Sequence, residues 1–238
     1  MGRYTNLIPM GTFVLIHAPL AGPSTWSLVA YELRFRGHEV LLPALPDARD
    51  MGPPYWPKYA TAIANFLVPI AADVRSILVA HSGAGLLLPL VREAVGRPVA
   101  SYLFVDAMIP EDGMVPDESG YFQRIAVEGF IPPFSEAILR AVGLEDDAVR
   151  GRLVSELRPL PLAVYQEAVP VFAGWPDASC AYLRFTHTIP TAYERFVERA
   201  RREGWAYAEL DGNHFHMLVE PRAVAEAILG LVGISRVG

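Results

Sequence analysis

Residues 76–90 read SILVAHSGAGLLLPL: an apolar run, a stretch of small residues, and a second apolar run. A short strand with no polar face belongs in a parallel sheet covered by helices on both sides. The residues at its end, Ala80-His81-Ser82-Gly83-Ala84, suit one unusual task. A chain that turns from strand to helix at a single residue needs small side chains two positions before and two after the turn, or strand and helix collide. Such a turn lifts the side chain at its apex, Ser82, above the sheet edge. It also aims the Gly83 N–H and a helix N-terminus at the same spot, where both favour developing negative charge. The simpler role for Ser82 is a helix cap.

The rest of the chain repeats the alternation. Short β-branched and apolar runs closed by Gly, Pro or Asp predict strands over 12–17, 39–42, 76–80, 101–106, 181–185 and 205–210. Helical patterns lie between them over 26–36, 58–72, 83–95, 190–203 and 221–231. Pro190 and Pro221 stand where a first-turn proline sacrifices no hydrogen bond. In the former helix Tyr193, Phe196, Val197 and Ala200 fall at i, i+3, i+4 and i+7, one core stripe. The fold class is therefore α/β: a mostly parallel sheet flanked by helices. Residues 109–179 break the rhythm with Pro-rich joints (Ile131-Pro132-Pro133, Pro159-Leu160-Pro161) between short helical pieces. They read as an inserted, mainly helical cap on a core formed by 1–108 and 180–238, the whole making a single domain.

Composition narrows the partners. With 238 residues, 52% apolar and 19% charged, the chain can bury a sizeable core, and its formal charge of −6 offers no basic stripe for nucleic acid. One cysteine, Cys180, closes no intrachain disulfide, and no Cys/His spacing for a metal exists, so neither metal nor cofactor is expected. Residues 1–19 lack the apolar core and small-residue site of a secretory leader, and no run reaches the roughly 18 apolar residues of a membrane span. A cytoplasmic protein with a small hydrophobic substrate is the expectation.

Near the C-terminus LDGNHFHMLVEP comes after the last expected strand and precedes a helix. His214 then sits in a loop above the sheet edge, where a general base could reach Ser82; His216 is its neighbouring rival. With these parts the chain resembles the α/β-hydrolase superfamily. The matching pieces are the strand end and loop at His17, the RGHEVLLPAL strand, the AHSGA turn and the NHFHMLVEP segment, so the likeness covers most of the chain outside the cap. The resemblance implies Ser82 as nucleophile and His214 as base, with His17, His38 and His81 at places where histidine is commonly structural. The family's acid usually comes just after the penultimate strand, but CAYLRFTHTIPTAY holds no Asp or Glu before Glu194, and His187 stands near the expected place. Asp106, ending the strand after the turn helix, is the substitute: some α/β-hydrolases carry the acid there, and the order nucleophile, acid, base is kept. Its plainer role is a cap for the next turn; Glu111, Asp112 and Asp211 are weaker rivals.

One residue conflicts with the pattern. Where the family reads His-Gly-x, with the N–H of x completing the oxyanion hole, this chain has Ala18 and Pro19, and proline has no N–H. Losing one preorganised donor costs about 10²–10³ in rate. Gly83 remains, and the N–H of Leu20 or Ala21 is a replacement. A serine hydrolase of an ester, lactone or thioester of a small hydrophobic substrate is the first reading. A lyase, cyclase or tailoring enzyme using Ser82 and His214 as a proton relay is the second, and a non-catalytic binder the last. Pro19, Tyr55, Trp56 and Trp175 are candidates for lining the substrate pocket; Tyr121, Phe122 and Phe130 are further cap aromatics.

Overall fold

A computed structural model describes residues 11–188 and 190–234, and these begin with β1 (Thr12–Ile16), α1 (Ser27–Phe35), β2 (Glu39–Leu41), α2 (Tyr55–Phe66), β3 (Ser76–His81), α3 (Leu88–Val95) and β4 (Ser101–Val105). Next comes an insert containing α4 (Tyr121–Ile125), β5 (Phe130–Ile131), α5 (Glu136–Ala141), α6 (Asp147–Glu156), β6 (Leu160–Pro161) and α7 (Ala163–Gln166). The chain then returns through β7 (Ser179–Phe185), α8 (Pro190–Arg202), β8 (Ala206–Leu210), α9 (His216–Val219) and α10 (Pro221–Leu231). Most of the segment read for a leader, 1–10, lies outside the described residues.

Six strands form one sheet in the order β2-β1-β3-β4-β7-β8, and every neighbouring pair is parallel. The continuous apolar runs are explained by this burial. Val14, Ile16, Leu78, Ala80, Tyr102 and Phe104 pack on one side against α2, α3 and α8. Phe13, Leu15, Ile77, Val79, Leu103 and Val105 pack on the other against α1 and α10. Alternate side chains of a strand point to opposite faces, so a strand covered on both sides has no polar register to display. Among the described residues no helix is long and apolar enough to cross a membrane.

Three expectations shift. The helix expected over 58–72 runs Tyr55–Phe66. Its first turn absorbs Pro57, since a proline there loses only an N–H that has no helical partner; Pro69 stops it, because the residue before a proline leaves the helical region. The helix after β3 opens as a tight 3-10 stretch, Ser82–Leu87, before α3 begins. Pro89 has no N–H to return to the Gly85 carbonyl. The insert's two Pro-rich joints also pair with one another, as a two-residue antiparallel ladder of β5 with β6.

The insert is tied to loops that leave the C-terminal ends of β1 and β2. Glu167 caps α2 from a distance: its carboxylate accepts the Tyr55 N–H at 2.8 Å and the Trp56 N–H at 3.2 Å. Pro54, the residue before the helix, makes no side-chain cap, and a carboxylate at a helix N-terminus is favoured by the helix dipole. Glu156 accepts the Ser24 N–H at 2.8 Å, and the Arg158 N–H reaches the Leu20 carbonyl at 3.4 Å.

Candidate active site

Ser82 occupies the turn with φ 58°, a left-handed value for a residue that carries a side chain. Such a conformation costs about 1–3 kcal/mol and persists only where its surroundings enforce it. Here they do: β3 is fully buried behind the serine, and the Met108 N–H holds the Ser82 carbonyl at 3.0 Å. Gly83, opening the helical turn, has an N–H with no intrahelical acceptor. Gly85 lets the backbone after β4 pass over the turn, since a Cβ there would lie 2.0 Å from the Met108 carbonyl oxygen.

Asp106 leaves β4 with φ 46° and is 1% exposed. The structure brings it to His214, with 2.6 Å between Oδ2 and Nδ1. Thr188 donates its hydroxyl to the same oxygen at 2.6 Å, and the Phe185 N–H lies 3.5 Å from Oδ1. A buried carboxylate bonded this way accepts the Nδ1–H of a neutral imidazole, leaving Nε2 as the free acceptor. Behind that ring lies His81, its centroid 4.4 Å from that of His214 and its Nε2 2.8 Å from the His214 carbonyl. Burial holds His81 well below the usual histidine range, so a neutral ring that donates through Nε2 fixes the His214 backbone.

The serine hydroxyl meets the Tyr193 hydroxyl at 3.1 Å, and among the described residues no direct hydrogen bond joins it to His214. Tyr193 also faces His214, ring centroids 5.4 Å apart. Burial, with the Asp106 charge adding to it, pushes this phenol above its usual range; it is a neutral donor. The loop after β1 makes a turn in which the Ala21 N–H bonds the Ala18 carbonyl at 2.9 Å, with Pro19 at the position where proline is favoured. The Ala21 donor is thereby consumed, whereas the Leu20 N–H has no partner among the described residues.

The model of the Alpha/beta hydrolase family matches residues 13–227. The chain belongs to this family. A carbendazim-hydrolysing esterase from Nocardioides is 25% identical over 246 aligned residues, covering 93% of this chain and all of the relative. Among solved structures, an extracellular α/β-hydrolase from a Paenibacillus species superposes with a TM-score of 0.74 at 21% identity, covering 93% of this chain and 98% of its own. A histidine-to-alanine variant of tomato methylketone synthase I, in complex with β-ketoheptanoate, gives 0.76 at 17%, covering 94% of this chain and 98% of its own.

Other sequence candidates find different places in this α/β-hydrolase. His216 packs its ring on Phe185. Glu111 pairs with Arg199, Asp112 accepts the Val171 N–H, and Asp211 bonds Thr186 and His187. Pro19 lines a cleft of about 200 Å³ with His17, Leu45, Asp47, Glu156 and Arg158, which Ser82 does not line. Tyr55 and Trp56 are buried at the head of α2, where Trp56 packs on Tyr59 and Tyr165. Trp175 sits against Tyr102 and Phe104 of β4. Tyr193 packs against the core as the stripe of α8 predicts, but periodicity gives no sign of its hydroxyl contact with Ser82. Only its polar tip, on the first turn after β7, could have singled it out.

His17 makes a prediction of its own. Its Nδ1 donates to the Ala18 carbonyl at 2.9 Å and its Nε2 accepts the Leu45 N–H at 3.2 Å, both met only by a neutral ring. Burial lowers its pKa from 6.5 to about 4. Between those values the unfolded chain binds the extra proton and the folded one does not. Stability is therefore lost as pH falls through that window, by about 3 kcal/mol at its lower end. His17 alone should make the urea midpoint about 1 M lower at pH 4.5 than at pH 7.5; His17→Gln should remove that part of the dependence and leave the part owed to His81, whose pKa burial also lowers. Equal slopes in both proteins would contradict it.

Proposed function

We propose that this protein is a serine hydrolase that cleaves an ester, lactone or thioester of a small hydrophobic compound, with Ser82 as nucleophile, His214 as base and Asp106 as the acid that orients it. The observation that carries this reading is the 2.6 Å bond between Asp106 and His214 Nδ1. It leaves the base's Nε2 as an acceptor beside a serine raised on a left-handed turn. In the first step Ser82 Oγ turns from Tyr193 to Nε2 by a change of rotamer. It gives up its proton and bonds to the carbonyl carbon, while the carbonyl π pair moves onto oxygen. Collapse of that oxyanion expels the alcohol or thiol, protonated by His214, and water releases the acyl group by the same route. The relative that hydrolyses carbendazim supports ester-type chemistry. The insert serves in this reading as a cap that shapes the apolar side of the site.

A second reading is favoured by two observations: the Ser82–Tyr193 hydroxyl contact and the missing N–H at Pro19. In it the two hydroxyls and His214 relay a proton in a non-hydrolytic reaction that forms no tetrahedral oxyanion. Fluorophosphonate labelling, located by mass spectrometry, separates the two. Hydrolase chemistry is expected to give rapid modification confined to Ser82, reduced at least 10³-fold in Ser82→Ala and His214→Ala. Folded protein that resists labelling would shift the assignment to the relay.

A further inference from the structure

Gly83 directly succeeds the proposed nucleophile, so a side chain at that position would project beside the reacting atoms. The structure fills that space from the insert. A Cβ built on Gly83 would lie 2.1 Å from the Tyr165 hydroxyl oxygen, which places this oxygen within about 5 Å of the Gly83 nitrogen by bond lengths alone. Tyr165 is 2% exposed, yet its hydroxyl has no hydrogen-bond partner among the described residues. A phenol set against the serine turn, with its proton uncommitted to any described residue, is free to donate to a substrate oxygen that enters there.

The side chain is locked in place. Its ring stacks on Phe122, centroids 4.5 Å apart and planes 11° from parallel, and meets Trp56 at 5.9 Å. Phe122 is fixed in turn because the Asp117 carboxylate accepts its N–H at 2.8 Å, while the Asp117 N–H bonds the Tyr165 carbonyl at 2.9 Å. Glu167, two residues on, anchors the same stretch to α2. Preorganisation of this kind is what a donor to developing charge requires.

Resting on Ser82 as the nucleophile, we propose that the Tyr165 hydroxyl is a catalytic hydrogen-bond donor to the substrate's carbonyl oxygen, the second arm of the oxyanion hole in place of the N–H that Pro19 lacks. The phenol keeps its proton throughout. As Oγ bonds to carbon and negative charge grows on oxygen, the bonds from Gly83 N–H and Tyr165 O–H strengthen. Burial raises the phenol's pKa, which keeps it a donor at working pH.

Tyr165→Phe preserves the ring stack and removes only the donor. With p-nitrophenyl butyrate and the full chain, the expected result is a kcat lower by about 10²–10³ with KM within about threefold. An alkyl trifluoromethyl ketone, which a serine converts to a tetrahedral oxyanion, should lose affinity by a similar factor, and the parent methyl ketone should not. Gly83→Ala, whose methyl takes the hydroxyl's place, should lower kcat likewise. An unchanged kcat in Tyr165→Phe, or a loss confined to KM, would overturn the assignment and leave Leu20 as the second donor. Failure of the wild type to be labelled at Ser82 would remove the nucleophile itself, an outcome separate from the first.

Discussion

Replacing Asp106 with asparagine is expected to lower kcat for ester hydrolysis by about 10⁴ while the protein stays folded. The carboxylate is 1% exposed and one of its oxygens, Oδ2, accepts from both the Thr188 hydroxyl and His214 Nδ1. An asparagine in the same rotamer must present either its oxygen or its NH₂ to the imidazole. If it presents NH₂, His214 adopts the opposite tautomer, and the nitrogen meant to take the serine proton already carries one. If it presents oxygen, the tautomer survives but the charge that stabilises the imidazolium is gone. Steady-state rates and a thermal melt on the same sample check this. A loss below tenfold with an unchanged melt would remove Asp106 from the acid's role.

A single methyl group at Gly85 should be as damaging to the fold as that exchange is to the chemistry. The added Cβ would stand 2.0 Å from the Met108 carbonyl oxygen, and that oxygen belongs to backbone with little freedom. Two residues away is Asp106, and the Met108 N–H is bonded to Ser82. Gly85→Ala must therefore push apart the turn that bears Ser82 and the strand end that bears Asp106. Overpacking of this kind costs about 1–3 kcal/mol or more, roughly 3–10 °C in Tm for a chain this long. Gly151 in α6 is the control, because a Cβ there meets nothing within 4 Å. Gly151→Ala should stabilise by up to about 1 kcal/mol through helix propensity. Melting both variants beside the wild type tests the pair; a Gly85→Ala protein as stable as the wild type would contradict the close approach.

Much of this arrangement is legible in the amino-acid order alone. All six sheet strands appear close to where apolar runs between turn residues place them, because burial on both faces leaves a pattern that sequence records directly. The serine turn is legible for a related reason: sterics allow only small residues around it. What sequence conceals is direction. The stripe Tyr193, Phe196, Val197 and Ala200 is a buried face, as its spacing predicts, but periodicity reports the ring and says nothing of the hydroxyl at its tip, which reaches Ser82. Tyr165 lies among Pro-rich joints with no period at all, and its importance depends on a glycine 82 residues earlier. Trp175 is another case: nothing in its spacing shows that its ring meets Tyr102 and Phe104. The start of α2 is hidden by Pro57, since proline signals both the end of a helix and its first turn.

Asp106 is also the last residue before the chain leaves the sheet for its long excursion, and it turns that corner with φ 46°. The proposed acid thus stands at the root of the excursion, where sheet and insert meet. An exchange of the excursion for that of a relative would therefore replace chain joined directly to Asp106, and its effect on the proposed chemistry should be read together with the 2.6 Å bond to His214.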